Sequence, residues 1–235
     1  MRPLLLSLIV FLSMILTARA QTEQQSSGWL LLLNNTKINK NWGMYVDLQM
    51  RSNNNFDGVK NLMFRPGVTY YLNDKNEFTL GYLINETFTR LDGVSDNSLT
   101  EQRIWEQYVF KHSLKTVGAS HRLRLEQRFI GRRGADDLFS QRLRYFFRFQ
   151  IPLQKGSQPF DKGMFVALQN EVFLNLQNKD QLNTHFFDQN RGYAAAGYRF
   201  SKKLDIELGY LNQAIKGARN NSVNNVIQVA VYTKF

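Results

Sequence analysis

Apolar and polar residues alternate with a period of two in segment after segment of this chain. Between Arg122 and Phe129, Arg122, Arg124, Glu126 and Arg128 lie on one side, and Leu123, Leu125, Gln127 and Phe129 lie on the other. The final segment, from Val226 to Phe235, alternates in the same way. This period is that of β-strands whose two faces meet different surroundings, whereas an amphipathic helix repeats every 3.6 residues. The sequence therefore predicts an all-β protein.

Runs of this kind give about eleven candidate strands, each near the ~9–11 residues that a tilted strand needs to cross a bilayer. They fall near residues 29–38, 43–52, 61–72, 77–90, 101–113, 120–130, 140–151, 164–175, 190–200, 204–213 and 224–235. Short and long connections alternate, as they do at the two rims of outer-membrane barrels. We therefore predict a closed antiparallel up-and-down transmembrane β-barrel of about 10–12 strands. Bacterial barrels have even strand counts, so the segment 29–38 is either an extra pairing segment or a sign of a miscount.

The N-terminus has the layout of a secretory signal peptide. A positive charge at Arg2 precedes an apolar run over 4–16, and the small residues Ala18 and Ala20 follow. The apolar run is shorter than the ~20 residues that a membrane-spanning helix needs, which favours a cleaved signal over an anchor. The predicted domains are a signal peptide over 1–20, a short N-terminal linker over 21–28 and the barrel over 29–235. The chain has no cysteine, which excludes disulfides, thiolate metal sites and cysteine nucleophiles.

Alternation alone does not say which face of a barrel is outside, so a soluble exported barrel competes with a membrane barrel. Three features favour the membrane. The chain ends on an aromatic residue, and we interpret Tyr232 and Phe235 as a C-terminal assembly signal. Charges of both signs share one face, as in a polar lumen. Aromatic residues gather at strand ends, as in interfacial girdles, and they include Trp42, Tyr70, Tyr71, Phe78, Tyr198 and Phe200. We predict a protein of the Gram-negative cell outer membrane, with outer-membrane lipid and the barrel-assembly machinery as partners.

The net charge is +11, but the arginines are spaced two apart within strands rather than gathered in a patch. This spacing argues for one face of a sheet and against nucleic acid as a partner. The charged residues predicted to face the lumen are Asp47, Arg51, Arg65, Arg103, Arg122, Arg124, Glu126, Arg128, Arg142, Arg144, Arg148, Glu171, Arg191, Arg199 and Glu207.

This charged lumen has two interpretations. In the first, it is a packed network of arginines and carboxylates with a structural or ligand-binding role, because a barrel of about eight strands is just filled by its own side chains. In the second, it is a narrow channel for small anionic solutes, because rings of arginine select anions. The first is favoured by barrel size, and the small-molecule ligand, if there is one, is not identified by the sequence.

Catalysis and metal binding have weak support in the sequence. His112 and His121 lie near Ser113 and Ser120, which would suit an outer-membrane lipid hydrolase, but no orienting carboxylate accompanies them. Acidic pairs in the expected loops, Asp136-Asp137 and Asp92/Asp96, would suit Ca²⁺, but solvated loops explain them as well. We predict no enzyme, no metal site and no cofactor.

Several stretches resemble an uncharacterised family of Gram-negative outer-membrane proteins, the domain of unknown function 2490. They are HRLRLEQRFIG (121–131), SQRLRYFFRFQIPL (140–153), NEVFLNL (170–176) and FDQNRGYAAAGYRFSKKLDIELGYLNQ (187–213). Trp29, Trp42 and the Gln49-x-Arg51 pattern agree with the N-terminal part of that family. The resemblance covers nearly the whole chain after residue 20 and implies an outer-membrane barrel. It implies no activity, so no functional residue is carried over from it.

Overall fold

The computed structural model describes residues 22–89, 98–154 and 160–235, which form one closed barrel of eleven strands. The strands are β1 (Thr22–Lys37), β2 (Trp42–Ser52), β3 (Val59–Tyr71), β4 (Asn76–Phe88), β5 (Ser98–Leu114), β6 (Val117–Arg132), β7 (Ala135–Pro152), β8 (Gly163–Asn175), β9 (Phe187–Ser201), β10 (Leu204–Ile215) and β11 (Asn221–Lys234). Short 3₁₀ turns lie at Asn54–Phe56 and Lys179–Gln181. Within the described ranges, no helix has the length and apolar character needed to cross a membrane. The predicted all-β class and closed barrel are confirmed.

The barrel closes through a parallel pair. Every strand is antiparallel to its sequence neighbour, but β1 and β11 pair in parallel, from Thr22 with Asn221 to Asn35 with Lys234. The expected even count and the expectation of antiparallel pairing throughout are therefore wrong. In an up-and-down barrel with an odd number of strands, the first and last strands must point the same way. The apparent misfit of residues 29–38 had this cause.

The predicted linker over 21–28 also differs from the structure. Residues 22–28 form the first part of β1 and pair with Asn221–Ile227 of β11. Polar residues there obscured the strand, because alternation becomes clear only from Trp29 onward. The predicted signal peptide over 1–20 lies outside the described residues.

The two rims differ in their connections. The short-turn rim holds Phe235 and the connections that follow β1, β3, β5, β7 and β9, whereas the long-loop rim holds Thr22 and the other connections. The predicted alternation of short and long connections fails at one place on the long-loop rim, where β6 and β7 meet in a tight turn at Arg133-Gly134. Gly134 has a φ of 67°, a conformation that glycine adopts without steric cost.

Apolar side chains cover the outside of the barrel. Leu80 and Leu208 are 58% and 60% exposed there, whereas Asp205 and Glu207, on the same strand as Leu208, are buried inside. Aromatic pairs mark the outer face near the short-turn rim, including Trp42 with Tyr70, whose ring centroids lie 5.0 Å apart. A soluble barrel would bury the apolar set instead, so the alternating faces are oriented as in a membrane barrel.

The lumen is packed with side chains. One apolar cluster joins Trp29, Phe165 and Tyr193 to smaller neighbours, and a second joins Tyr45, Met63, Leu83 and Trp105. Sequence reasoning assigned charges to this face but missed the large apolar residues among them. The two clusters and the charged groups together fill the interior.

Candidate functional site

The charged residues meet inside the barrel because strand pairing brings inward positions into register. On β6 and β7, Arg124 is opposite Arg144, and Glu126 is opposite Arg142. Each strand places alternate side chains on the inner face, so residues two apart in sequence stack along the lumen. A run such as Arg122, Arg124, Glu126 and Arg128 therefore becomes a column of charge that faces the columns of other strands.

Glu126 is the centre of the resulting ion network. It is 0% exposed and lies 2.7 Å from Arg142 and 2.5 Å from Arg144, both on β7. Arg103 of β5 approaches the same carboxylate at 3.5 Å. Three guanidinium groups thus converge on one buried carboxylate, and charge-assisted contacts of this kind are the stronger hydrogen bonds in proteins.

Glu171 extends the network toward β8. Its carboxylate lies 2.7 Å from Arg144 and 2.6 Å from Arg122. Because Arg144 contacts both Glu126 and Glu171, the two acidic centres are linked through one guanidinium. The network therefore continues across β5, β6, β7 and β8 and fills that side of the lumen.

Further ion pairs surround this centre. Asp47 pairs with Arg65, and Glu207 pairs with Arg148. Other pairs join carboxylates that sequence reasoning did not select, and they are Glu101 with Arg103 and Arg128, Asp188 with Arg142, and Asp205 with Arg199.

Position in the strand could have revealed two of the three missed carboxylates. Glu101 is two residues from Arg103, and Asp205 is two residues from Glu207, so each shares the inner face of a selected neighbour. Asp188 carries no such signal. It lies where the pairing of β8 and β9 shifts register, and such irregularities re-aim side chains.

Three inward arginines lack a carboxylate partner among the described residues: Arg51, Arg124 and Arg191. Each donates instead to a neutral glutamine oxygen, that of Gln49, Gln107 and Gln189 respectively.

Aromatic rings take the place of carboxylates at these three guanidinium groups. Arg51 lies over the Trp29 ring at 3.8 Å, and Arg124 lies over the Trp105 ring at 4.4 Å. Arg191 lies near both Trp29, at 5.2 Å, and Phe173, at 4.6 Å. Stacking on a ring face stabilises a cation without neutralising it. The lumen therefore keeps a positive excess.

A polar cavity of about 120 Å³ lies inside the barrel. It lies between the Trp29 cluster and the ion network. The charged side chains that line it are Arg51, Arg65, Arg122, Arg144, Arg148, Arg191, Asp47 and Glu171.

Comparison with known proteins gives the family. The model of a protein family of unknown function, DUF2490, matches residues 26–224. The chain belongs to this family. An uncharacterized protein of Methylorubrum extorquens is 28% identical over 223 residues, with 93% of this chain and 92% of the relative covered.

A solved barrel has a similar fold. The NanC porin, determined in a rhombohedral crystal form, matches with a TM-score of 0.51 and 13% sequence identity, covering 81% of this chain and 85% of the porin. At that identity the likeness concerns the fold alone. This DUF2490 member therefore has a porin-like barrel fold and a family without an assigned activity.

The structure places all fifteen predicted charged residues on the inner face, although their part in binding stays a prediction. The two residues of the predicted assembly signal separate. Tyr232 points inward and lies 5.2 Å from the Arg148 guanidinium, whereas Phe235 is exposed at the end of the chain.

The candidate hydrolase histidines, His112 and His121, lie on the outer face, whereas the adjacent residues Ser113 and Ser120 alternate to the inner face. His112 and His121 stack with ring centroids 5.2 Å apart, and His121 Nδ1 is 2.9 Å from the Tyr145 hydroxyl. Among the hydrogen bonds of the described residues, no serine hydroxyl contacts either imidazole. The pair therefore belongs to an aromatic row near the short-turn rim.

The acidic residues considered for Ca²⁺ do not lie together in described loops. Asp136 and Asp137 belong to β7 rather than to a loop, whereas Asp92 and Asp96 lie outside the described residues. No group of three or more potential metal-binding side chains occurs in the ranges 22–89, 98–154 and 160–235.

Proposed function

We propose that this protein is an outer-membrane β-barrel with a sealed polar lumen, which has a structural or ligand-binding role and conducts no solute. The observation that carries the proposal is the buried ion network centred on Glu126, which joins β5, β6 and β7 and fills the interior beside two apolar clusters. A polar cavity of about 120 Å³ lies at its edge.

Placement in the outer membrane is supported by the outward apolar face and by the likeness to a porin fold. A barrel has no unpaired sheet edge, so its backbone is satisfied within hydrocarbon. Lipid would contact the outward residues, and the barrel-assembly machinery would insert the chain. No catalytic arrangement of described residues favours an enzyme, so binding is the better proposal.

A narrow channel for small anions is the second candidate. The three arginines without carboxylate partners favour it, because they leave positive charge in the lumen. Packing argues against it, since Trp105, Phe165 and Phe173 are all fully buried across the interior. A barrel of this size is near the filled end of the range, whereas open channels appear at about sixteen strands or more.

Single-channel recording in a planar bilayer separates the two candidates. Insertion of the wild-type barrel is first verified by flotation with vesicles and by the different migration of boiled and unboiled samples. We expect no stepwise conductance under conditions in which a porin of known conductance gives clear steps. Anion-selective steps from the wild-type protein would overturn the sealed lumen and favour the channel.

A further inference from the structure

Positive charge dominates the lining of the internal cavity. Six arginines and two carboxylates, Asp47 and Glu171, face it. Both carboxylates are already engaged by guanidinium groups, Asp47 by Arg65 and Glu171 by Arg122 and Arg144. The cavity therefore has more cationic donors than its own acceptors neutralise.

Several of these donors have no acceptor. The Nε atoms of Arg51, Arg65, Arg122 and Arg191 are buried and make no hydrogen bond with any described residue. All four arginines line this cavity. Native interiors satisfy most buried polar groups, so a cluster of unsatisfied donors around one space calls for an explanation.

Arg51 and Arg191 are the most exceptional of the four, because neither has a carboxylate partner among the described residues. Both guanidinium groups lie against the same indole, at 3.8 Å and 5.2 Å from the Trp29 ring. Two like charges beside one ring repel each other, and an anion between them would remove that repulsion.

We propose that the cavity binds one small oxyanion, a carboxylate, phosphate or sulfate, between Arg51 and Arg191. The proposal rests on the sealed lumen proposed above, because a lumen blocked by the Glu126 network makes the cavity a dead end. Ionic contacts in its low-dielectric interior are stronger than in bulk water. Oxyanions match the planar fork of guanidinium donors.

Size and access fit such a ligand. A volume of about 120 Å³ admits a group of a few heavy atoms and excludes a sugar chain. Arg51 is one residue from the end of β2 at the long-loop rim, and both Arg51 and Arg191 are partly exposed. An anion therefore reaches the site from that rim without crossing the Glu126 network.

The test uses the complete folded barrel in a phosphate-free zwitterionic detergent. Its unfolding temperature is followed while inorganic phosphate replaces chloride at constant ionic strength, with sulfate and acetate in parallel titrations. We expect a saturable rise with at least one of the three anions, since a ligand that binds only the folded state stabilises it. The anion that raises the unfolding temperature identifies the chemical class of the ligand. A flat response to all three would overturn the proposal.

Two variants localise the effect. In Arg51→Gln/Arg191→Gln, the rise should be lost, and without anion the variant should melt no lower than wild type because the repulsion is gone. Arg124→Gln removes an arginine that also lacks a carboxylate but does not line the cavity, so it should keep the full rise. An equal rise in wild type and the double variant would indicate a general salt effect and overturn the site.

A milder variant covers the case in which the double variant fails to fold. Arg51→Lys keeps the charge but loses Nε and the forked donor, so saturation should need at least tenfold more anion. An unchanged titration would contradict the role of Arg51. The conductance test remains separate: steps in the bilayer would overturn the sealed lumen, whereas the anion titration tests the site.

Discussion

The indole ring of Trp105 lies over Gly81, its direct partner on the neighbouring strand. A Cβ atom at residue 81 would stand 2.1 Å from Trp105 Cζ2 and 2.6 Å from the Pro66 carbonyl oxygen. Phe165 covers Gly197 in the same manner, with 2.3 Å between the added Cβ and the ring. Because Gly81 and Gly197 have no side chain, the rings of Trp105 and Phe165 pack into the space that a Cβ atom would occupy.

Replacing Gly81 with alanine should therefore destabilise the barrel. We expect Gly81→Ala to lower the free energy of unfolding by about 1–3 kcal/mol, as is typical of overpacked cores. Gly118→Ala is the matched control, since an added Cβ there meets nothing closer than 3.9 Å. Reversible unfolding in detergent, followed by tryptophan fluorescence, measures both. Equal stability of the two variants would show that Trp105 has room to move.

Removing the charge of Glu126 should be costly. Glu126→Gln leaves Arg142 and Arg144 with a neutral partner inside the lumen, and breaking a buried pair typically costs about 3–5 kcal/mol. In the control, Glu77→Gln breaks the half-exposed pair with Lys111 and should cost about 0–1 kcal/mol. The same unfolding assay compares them. If Glu126→Gln left the free energy of unfolding unchanged, water would be screening the charges of the network.

The effect of a charge added to the outer face should depend on its depth in the membrane. Leu208, 60% exposed, lies within β10, whereas Leu204 starts that strand on the same face. Arginine costs about 2–4 kcal/mol at the midplane of such barrels and about 0–1 near the interface. Leu208→Arg should thus reduce the membrane-assembled, heat-modifiable fraction far more than Leu204→Arg. Equal yields would contradict a lipid-facing belt.

One outward carboxylate should be dispensable. Glu106 is exposed in the centre of β5, between Leu80 and Leu125 of the adjacent strands, and accepts a hydrogen bond from Gln127 at 3.2 Å. We expect Glu106→Leu to keep or raise stability, by up to about 1 kcal/mol, because an acidic group facing lipid is unfavourable.

The matched change inside the barrel, Glu126→Leu, should reduce stability sharply, since the same residue type there pairs with three arginines. Heat-modifiability at increasing temperature measures the two. If Glu106→Leu abolished assembly, Glu106 would have a partner in the membrane that its strand neighbours do not supply.

Alternation predicted most of the fold because it is a local property. The inward placement of Arg124 and Glu126 follows from their spacing, whichever strands adjoin β6. The closing pair is different. No residue of β1 indicates that it meets β11 in parallel, because that depends on the total number of strands. The even strand counts of bacterial barrels therefore led to a wrong expectation for this pair.

The sequence predicted which residues form the site, but not which of them contact one another. Spacing could select the arginines, yet it could not reveal that Arg51 and Arg191 share the ring of Trp29 from two distant strands. Those contacts depend on strand tilt and on which space remains after Phe165, Phe173 and Trp105 have been packed. Volume inside a closed barrel is a global quantity, so the cavity could not be read from any one segment.

The parallel seam also governs how the barrel is completed. The other ten pairings join strands adjacent in sequence, but Thr22 meets Asn221 only after nearly the whole described chain has been arranged. Contacts so distant in sequence form slowly, although the entropy of closing the loop grows only with the logarithm of its length. Until then both edge strands expose unpaired backbone groups, which can pair with another chain. In an unfinished barrel, the risk of aggregation is therefore concentrated in β1 and β11.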